Sequence, residues 1–588
     1  MVIGIGMVLT LLVATMLTTS VSGLVKSNGD QDSAAALAAA YAGIEDYQSR
    51  LANDNTYQQY GNAASTFSNP PKTSANPNPY VSKFTSANGN DAFGLGASGT
   101  WAKIPGSTRA QYRYEVDNSA YYSTGIIRLR STGEVGTTVR SEVAELKQNG
   151  FINYLYFTDY EVSDPAVSNL NCTPTYDWKT PHDSDCTELQ FGPSDDLQGP
   201  VHSNDSLLIC GSKFESTVET GYRVAGTAKP YNIPSSTCSA AQFTYQAGYA
   251  PVYSPPITMP ATNLNMKQET RSDLTDTTVP RPGCLYTGPT TITFNDGGTM
   301  TVRSPWTVKT NWTADASGNP NGGIISGDCG TPGTGVGQLG SSTGQTINVP
   351  QNNLIYVQNV PHTTSNDPNY YSTSAKPTGL SCTGAAGGST TGNGLGYPAA
   401  GEVAPTYASG TASYGCDTGD VFVKGTVQGK VTVAAENYVY VTDDLKYSTT
   451  DASNNLLGLV GNGAVWVYNP VDSNGALLDT SNTGITIDAA ILSVLHTFQV
   501  QNYKAAGFKG NLTVLGSIAQ KFRGAVGSTT SDRNGNVISR TGYTKVYLYD
   551  SRLRYTAPPK FLTPVSTSYG VSTLTETKPA FTANGGDR

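Results

Sequence analysis

The chain begins with a long apolar segment, Met1–Val25, that contains no charged side chain. A membrane-spanning helix needs about 20 mainly apolar residues, whereas a secretory signal peptide has a basic start and a shorter apolar run that ends at a cleavage site. Neither a basic start nor such a cleavage site precedes Lys26, the first charged residue. We therefore predict a single transmembrane helix over residues 1–25, with everything after Lys26 outside the cell; a buried core helix is the alternative.

A second helical pattern follows the apolar segment after a polar break at Ser27–Asp30. Apolar residues recur at helical spacing in an alanine-rich stretch, namely Leu37, Tyr41, Ile44 and Leu51. Alanine has the highest helix propensity, so the stretch predicts a stable amphipathic helix. Its expected extent, as an extension of the N-terminal helix, is residues 26–60.

The composition of the remaining chain favours β structure. Glycine (63 residues) and proline (33) favour turns, and tyrosine (35) favours strands. Residues 61–148 contain three segments that alternate apolar and polar side chains, 111–117, 125–130 and 138–146. We predict that these segments form a β-meander in which each strand buries one face.

Short apolar strands separated by Gly and Asn turns recur in a later region, residues 420–555. This pattern is typical of a right-handed parallel β-solenoid, in which each rung buries alternate side chains against its neighbours; a β-sandwich of short strands is the alternative. We expect the first rungs over 149–215 and Cys-, Gly- and Pro-rich insertions over 216–419. Residues 556–588 are expected to form a C-terminal tail.

The chain contains eight cysteines, all in its middle part: Cys172, Cys186, Cys210, Cys238, Cys284, Cys329, Cys382 and Cys416. No two of them have the CxxC spacing of zinc ribbons or thioredoxin-type sites, and dispersed cysteines in an exported chain usually form disulfides. Free buried thiols are the alternative. Sequence neighbours meet most often during oxidation, so we predict four pairs: Cys172–Cys186, Cys210–Cys238, Cys284–Cys329 and Cys382–Cys416.

The charge of the chain argues against nucleic-acid binding, because only 14% of residues are charged and the net charge is −8. The best candidates for an enzyme are the adjacent carboxylates Asp195 and Asp196 with His202 and Asp205, which offer an acid and a base for glycoside hydrolysis. An Asp-Asp pair in a Gly- and Pro-rich stretch is more often a solvated turn. We therefore predict no enzymatic activity.

Nothing in the sequence indicates a metal or a cofactor. The four histidines, His182, His202, His362 and His496, have no metal-ligand spacing. The acidic pair Asp443-Asp444 is expected in a loop, but it is not part of a twelve-residue calcium-binding loop.

Several tyrosines are candidates for stacking on sugars, as in an adhesin. They are the pairs Tyr121-Tyr122 and Tyr370-Tyr371 and the aromatic residues of 154–160. Tyrosines on strands are more often half-buried packing residues, which is the alternative interpretation.

Residues 35–47, Ala-Ala-Leu-Ala-Ala-Ala-Tyr-Ala-Gly-Ile-Glu-Asp-Tyr, resemble the segment that follows the membrane helix in PilX-type minor pilin-like proteins of Gram-positive, particularly actinobacterial, bacteria. Residues 150–160 and 199–205 resemble the same group. The likeness covers residues 1–215 and, more weakly, parts of the C-terminal half. Pilins generally carry a basic leader, which this sequence lacks, and a glutamate at the fifth position, where it has Ile5; a tip, priming or membrane-tethered role therefore fits better than packing in a pilus shaft.

The resemblance implies a structural cell-surface protein: a minor pilin-like component, or a tip or assembly factor, of a type IV pilus-like system, with an adhesive role as an extension. Its implied partners are other pilin-like subunits through the N-terminal helix, the cytoplasmic membrane and surface glycans. The alternative is a membrane-anchored β-helix protein that binds or degrades polysaccharides.

Overall fold

The computed structural model describes most of the chain in two compact units. Unit 1 comprises residues 1–149 and 567–588, and unit 2 comprises residues 150–566. The described residues are 2–54, 57–68, 89–119, 121, 126–148, 150–193, 195–222, 231–232, 238, 241–274, 282–385, 391–407, 413–531, 537–554, 556–562, 569–582 and 586, with the side chains of 2–25, 28, 147–148, 531, 537, 569 and 572 left out.

The described part of unit 1 contains one long helix, α1 (Val2–Asn53), and a five-stranded antiparallel sheet. The strands, in sheet order, are β1 (Ala102–Lys103), β2 (Ala110–Asp117), β3 (Ile126–Val135), β4 (Thr138–Gln148) and the last strand of the chain, β28 (Tyr569–Thr577). Two short 3-10 helices span Tyr57–Gln59 and Asp91–Phe93. The predicted meander is confirmed, because β2, β3 and β4 pair consecutively.

Helix α1 runs unbroken through the polar residues 27–30 and ends at Asn53. Its buried face consists of Ala36, Ala39, Ala40, Ile44, Tyr47 and Leu51. This face is rotated from the predicted one, and the expectation for Tyr41 was wrong, since its side chain is 42% exposed. The reason is a close approach of the two backbones: a Cβ atom at Gly133 of β3 would lie 2.1 Å from the carbonyl oxygen of Ala36. Only small residues fit where the helix crosses this strand.

The predicted membrane segment, residues 1–25, falls in the part of α1 whose side chains lie outside the described residues. Among the residues that are described, no helix has both the length and the apolar character needed to cross a bilayer.

The described part of unit 2 is built mainly from strands. It contains one short helix, α2 (Pro165–Ser168), and 3-10 helices at Phe151–Asn153, Leu264–Thr270, Gly327–Cys329 and Ser551–Arg554. The strands are β5 (Tyr156–Ser163), β6 (Asp196–Gln198), β7 (Val201–Ser203), β8 (Lys213–Phe214), β9 (Val218–Thr220), β10 (Gln242–Phe243), β11 (Val252–Tyr253), β12 (Cys284–Thr287), β13 (Thr290–Asn295), β14 (Thr299–Arg303), β15 (Thr313–Ala314), β16 (Pro320–Gly322), β17 (Gln345–Asn348), β18 (Asn353–Gln358), β19 (Val421–Val427), β20 (Lys430–Ala435), β21 (Val439–Tyr447), β22 (Leu456–Gly461), β23 (Val465–Val467), β24 (Ile485–Val500), β25 (Gly507–Arg523), β26 (Gly527–Ser531) and β27 (Val537–Tyr549). The expectation of a mainly β chain is confirmed.

Most strands of unit 2 pair in parallel with a strand that is not their neighbour in sequence. Strands β12, β18, β20, β22, β24, β25, β5, β7 and β9 pair in this order. Residues at matching positions form one buried column: Cys284, Ile355, Val433, Leu459, Ile491, Ile518, Tyr156, Val201 and Val218. Each side chain is therefore covered by the next strand, which is how a continuous apolar core is built from short strands.

Parts of segment 216–419, which the sequence predicts as insertions, contribute strands to this ladder. Strand β12 pairs with β18, and β13 pairs with β19 across residues Thr290 and Val421. Likewise, the acidic pair Asp443-Asp444 lies within strand β21 rather than in the expected loop. The apolar residues 489–495, predicted as a buried strand, do belong to β24.

Four disulfides connect the cysteines of unit 2, and the predicted pairing is confirmed for every bridge. The bonded pairs are Cys172–Cys186, Cys210–Cys238, Cys284–Cys329 and Cys382–Cys416. The bridges join residues 14 to 45 positions apart. Two of the closed loops contain strands of unit 2: β8 and β9 lie between Cys210 and Cys238, and β13 and β14 lie between Cys284 and Cys329.

Candidate functional site

The polar residues that the sequence singles out lie around strand β7. Here a second column of side chains, one residue along each strand from the first column, changes from apolar to polar residues. This column is apolar from Leu285 to Phe157, with Tyr356, Val460 and Leu492 among its members. At the next two positions, on β7 and β9, it continues with a histidine and a glutamate.

His202 is fully buried at this point and stacks on Phe157, with ring centroids 5.4 Å apart and an interplanar angle of 6°. Its Nδ1 lies 3.3 Å from Glu219 Oε2, and its Nε2 lies 3.0 Å from Asn204 Oδ1. Burial alone raises the pKa of Glu219, but the hydrogen bond and charge of His202 outweigh it and lower that pKa. Both ring nitrogens are engaged inside the protein, so His202 packs and pairs rather than facing solvent.

The two adjacent carboxylates point to different partners. Asp195 is buried and forms an ion pair of 2.8 Å with Lys545 of β27. Asp196 begins β6, and its carboxylate is 3.8 Å from the ammonium group of Lys213 on β8. The structure therefore does not bring Asp195 and Asp196 together as an acid and base facing one substrate position.

Asp205 is the most densely bonded of the candidate residues. Its Oδ1 accepts hydrogen bonds from the backbone N–H groups of Asp177 and Ser206, both 2.8 Å away. Its Oδ2 accepts one from the N–H of Glu161 at 3.1 Å and lies 2.9 Å from His182 Nε2. These four contacts fix the carboxylate in a fully buried position.

His182 is held between two carboxylates. Besides Asp205, it contacts Glu188, whose Oε1 lies 2.6 Å from its Nδ1. Burial alone lowers the pKa of His182, but hydrogen bonds to Asp205 and Glu188 raise it to about 10. The ring is therefore an imidazolium at neutral pH when it holds no other cation.

The disulfide Cys172–Cys186 positions this group by closing the loop that carries His182. The same loop carries Asp177, whose Oδ2 accepts hydrogen bonds from Ser206 Oγ at 2.9 Å and Asn232 Nδ2 at 2.8 Å. One ligand atom each from Asp177, His182 and Glu188 lie within 4.8 Å of one another. We refer to Asp177, His182, Glu188 and Asp205 as the Asp205 cluster.

The sequence singles out Asp205 but does not indicate that Asp177, His182 and Glu188 lie beside it. His182 has no metal-ligand spacing to another histidine, and the fold alone brings Asp177 and Glu188 beside it. The available signal was a histidine between acidic residues inside a short loop that two cysteines bracket.

An aromatic stack includes Tyr176 and Trp178, the two sequence neighbours of Asp177. Phe522, Tyr160, Tyr176 and Trp178 follow one another with ring centroids 5.4, 4.9 and 5.2 Å apart and interplanar angles of 21°, 16° and 9°. Tyr176 donates to Asp159 Oδ1, and Trp178 donates to the carbonyl oxygen of Asn204. Most ring faces in the stack are covered by the next ring, so these residues are primarily packing residues.

The other tyrosine candidates have separate places. Tyr154 packs against His202 and donates to Glu219, while Tyr371 contacts Trp306 edge to face. Tyr370 is 37% exposed. Tyr121 packs against the core of unit 1, and Tyr122 lies outside the described residues.

Two adjoining polar pockets lie elsewhere on unit 2. The first, of about 380 Å³, is lined by Gly298, Gln351, Asn352, Gln428, Gly429, Lys430, Asp451, Asn454 and Asn455. The second, of about 580 Å³, shares Gly298 and Gln351 with the first and continues along residues 346–350. Amide groups dominate the first pocket, which suits it to ligands rich in hydroxyl groups.

No protein-family profile matches the chain, and no curated protein matches it. Among solved structures, the chain is similar to the competence-associated pilin ComZ from Thermus thermophilus, at 11% sequence identity and a TM-score of 0.24. The similarity spans 93% of this chain and 97% of that chain. A TM-score this low does not establish a shared fold.

Proposed function

We propose that the chain is a structural cell-surface protein: a PilX-type minor pilin-like component, or a tip or assembly factor, of a type IV pilus-like system. The observation that carries this proposal is unit 1, in which one 52-residue helix packs along an antiparallel meander. A long N-terminal helix that is followed by a meander is the arrangement that the resemblance of residues 35–47 implies.

The first 25 residues serve as the membrane anchor and as the contact with other pilin-like subunits. Helix α1 spans Val2–Asn53 without a break, so at 1.5 Å per residue it is about 78 Å long. A bilayer core is only about 30 Å thick. The uncharged segment is long enough to fill that core, while the buried face of residues 36–51 packs on the sheet of unit 1.

Everything after Lys26 lies outside the cell in this proposal. Four disulfides support an oxidising compartment, because cytosolic thiols are kept reduced. The ladder of unit 2 is then a β-solenoid displayed at the surface and cross-linked by its disulfides. The parallel pairing of β18, β20, β22 and β24 in one register supports this architecture.

Cell fractionation tests the proposal. An antibody against the C-terminal region should detect the full-length chain in sheared surface filaments, whereas a plain anchored protein would stay with the membrane fraction. A chain that begins at Asp32 should be soluble without detergent. Recovery of full-length protein in the cytoplasm, protected from external protease in intact cells, would overturn the proposal.

An adhesive role is the second candidate, and the two polar pockets of unit 2 favour it. Gln351, Asn352 and Lys430 present amide and ammonium donors of the kind that bind sugar hydroxyl groups. A glycan array probed with the chain should give hits that Gln351→Ala weakens. Gln246→Ala, which removes an exposed glutamine outside the pockets, is the matched control. Equal loss in both variants would argue against these pockets.

The proposed role is structural rather than catalytic. Asp195 and Asp196 are each paired with a lysine on a different strand, which supports packing roles for both. We expect no hydrolase or lyase activity on a panel of plant and bacterial polysaccharides. An activity that Asp195→Asn or Asp196→Asn abolishes would reverse this assignment, because loss of a catalytic carboxylate removes most of the rate.

A further inference from the structure

We infer that the Asp205 cluster is a binding site for a divalent transition-metal ion of the zinc type, with His182, Glu188 and Asp177 as ligands. This inference goes beyond the proposed surface role and does not depend on it.

The side chains of Asp177, His182 and Glu188 are of the types that bind zinc. Imidazole nitrogen and carboxylate oxygen both bind Zn²⁺, and one histidine with two carboxylates leaves positions for water. In the structure, the ligand atoms of Asp177, His182 and Glu188 already lie within 4.8 Å of one another. Bonds of about 2.1 Å in a tetrahedral site place ligand atoms about 3.4 Å apart, so a small movement completes the site.

Asp205 orients the ring of His182. A metal-bound histidine usually donates its other ring N–H to a carboxylate, which fixes the tautomer and the direction of the free nitrogen. Asp205 Oδ2 lies 2.9 Å from His182 Nε2, and backbone N–H groups hold this buried carboxylate in place. His182 Nδ1 is thereby directed toward Glu188, the side on which the ion would sit. Asp205 is thus a positioning residue rather than a ligand.

The Asp205 cluster has an excess of negative charge. Three carboxylates of the cluster face a single histidine, and among the described residues no lysine or arginine forms an ion pair with any of them. A half-buried site with this excess of negative charge is stabilised by a divalent cation.

The cluster is accessible to an ion through Glu188, and its loop is held rigid by a disulfide. The side chain of His182 is only 5% exposed, whereas that of Glu188 is 37% exposed. Glu188 can therefore swing away to admit the ion and return as a ligand. The Cys172–Cys186 bridge limits the motion of the loop, so the other ligands are held in position before the ion arrives.

Equilibrium dialysis of the full-length protein against Zn²⁺ after chelator treatment tests the site, with bound metal measured by mass spectrometry. We expect one zinc per chain, and we expect Ca²⁺ and Mg²⁺ to leave the site empty because neither ion favours imidazole. His182→Gln and Glu188→Gln should each lower zinc affinity at least tenfold.

His362→Gln is the matched control, because His362 contacts Asp417 and the carbonyl oxygen of Tyr371, outside the cluster. It should retain full zinc binding. Glu188→Gln keeps the size of a half-exposed side chain, so it separates loss of a ligand from loss of folding. Absence of stoichiometric zinc, or zinc binding unchanged in both cluster variants, would overturn the inference.

Discussion

In unit 1, strands that follow one another in sequence lie side by side, whereas in unit 2 most strands pair with one that lies farther along the chain. Strands β3 and β4 of unit 1 pair from Val135 and Thr138 outward across a two-residue turn. In unit 2, β13 and β19 pair in parallel across more than a hundred residues, from Thr290 to Val421. The first arrangement closes short loops and the second closes long ones, at a larger cost in chain entropy.

The position of the cysteines follows this difference. All eight lie between Cys172 and Cys416, within unit 2, where the chain leaves and re-enters the parallel ladder. Unit 1 instead relies on direct contact of the helix with the sheet, where alanines of α1 meet Gly133. Long loops are therefore shortened covalently in one unit, while the other is held by backbone proximity.

Reduction of the disulfides should produce the largest loss of stability, and this loss should occur in unit 2 and not in unit 1. Loop-closure entropy gives each bridge about 3 to 4 kcal/mol for loops of this length. With a phosphine reductant, hydrogen exchange measured by mass spectrometry should lose protection in residues 172–186 and 284–329 of unit 2. Protection in strands β2–β4 of unit 1, which contains no cysteine, is the internal reference.

Removal of single bridges sharpens this test. The Cys284–Cys329 bridge spans 45 residues and the Cys172–Cys186 bridge spans 14. Replacing both cysteines of the longer bridge by serine should lower the free energy of unfolding by about 1 kcal/mol more than the same change in the shorter bridge. Equal effects would mean that the bridges act through local packing rather than through loop entropy.

The sequence predicts most of unit 1 because the strands and turns of this unit depend on residues that are close together in the chain. Alternation in 111–117 and 138–146 sets which face of each strand is buried, and the turn between β3 and β4 contains Gly136, whose φ of 62° favours glycine. What it does not reveal is the rotation of α1, because that depends on Gly133, a residue far away in sequence. It also does not reveal that the expected C-terminal tail supplies strand β28.

In unit 2 the sequence predicts individual strands and disulfides but not the pairing of distant strands. The segment that contains β12 to β18 is interrupted by glycine- and proline-rich loops, which conceal its share in the ladder. The Asp205 cluster is unpredictable for the same reason. Asp177, His182 and Glu188 meet Asp205 only after the disulfide loop packs against β7, and no spacing along the chain encodes that contact.

Asp420, which precedes β19, has a fully buried carboxylate. Burial raises its pKa to about 7, despite hydrogen bonds from Thr418, Asn437 and the N–H of Tyr438. The unfolded chain loses this proton near pH 4 and the folded chain near pH 7, so the folded state binds more protons between these values. The free energy of unfolding should therefore fall as pH rises from about 4 to about 7, by up to about 4 kcal/mol, and change little above that range.

Asp420→Asn should remove this slope and stabilise unit 2 at neutral pH. An asparagine keeps an acceptor for Asn437 and Tyr438, and its amide can donate to Thr418. Urea denaturation of both proteins at several pH values measures the difference. Asp196→Asn, at a carboxylate that is 38% exposed, is the control and should retain the slope. A slope that persists in Asp420→Asn would show that another group causes it.

A smaller effect should follow from Gly133→Ala in unit 1. The new Cβ atom would lie 2.1 Å from the carbonyl oxygen of Ala36 and 2.4 Å from the backbone nitrogen of Ala40, so the helix must move off the sheet. Overpacking of this kind costs about 3 kcal/mol. Faster hydrogen exchange in β2, β3 and residues 36–51 of α1 would confirm the close contact. Unchanged exchange there would mean that the helix does not press on this strand.

The smallest effect, with the opposite sign, is expected for the same substitution within helix α1. Gly29 lies inside the helix, is exposed and has no atom within 4 Å of the position that a Cβ would occupy. Because glycine is less favourable than alanine in a helix by about 1 kcal/mol, Gly29→Ala should stabilise α1 by about that amount. For a unit of this size the melting temperature should rise by about 2 to 4 °C, measured for the full-length chain in detergent. Gly29→Ala changes only the helix propensity of α1, whereas Gly133→Ala adds a clash with Ala36 and Ala40. Comparing the two variants therefore isolates that contact. A loss of stability at Gly29 would mean that this part of α1 is packed against a surface other than the sheet of unit 1.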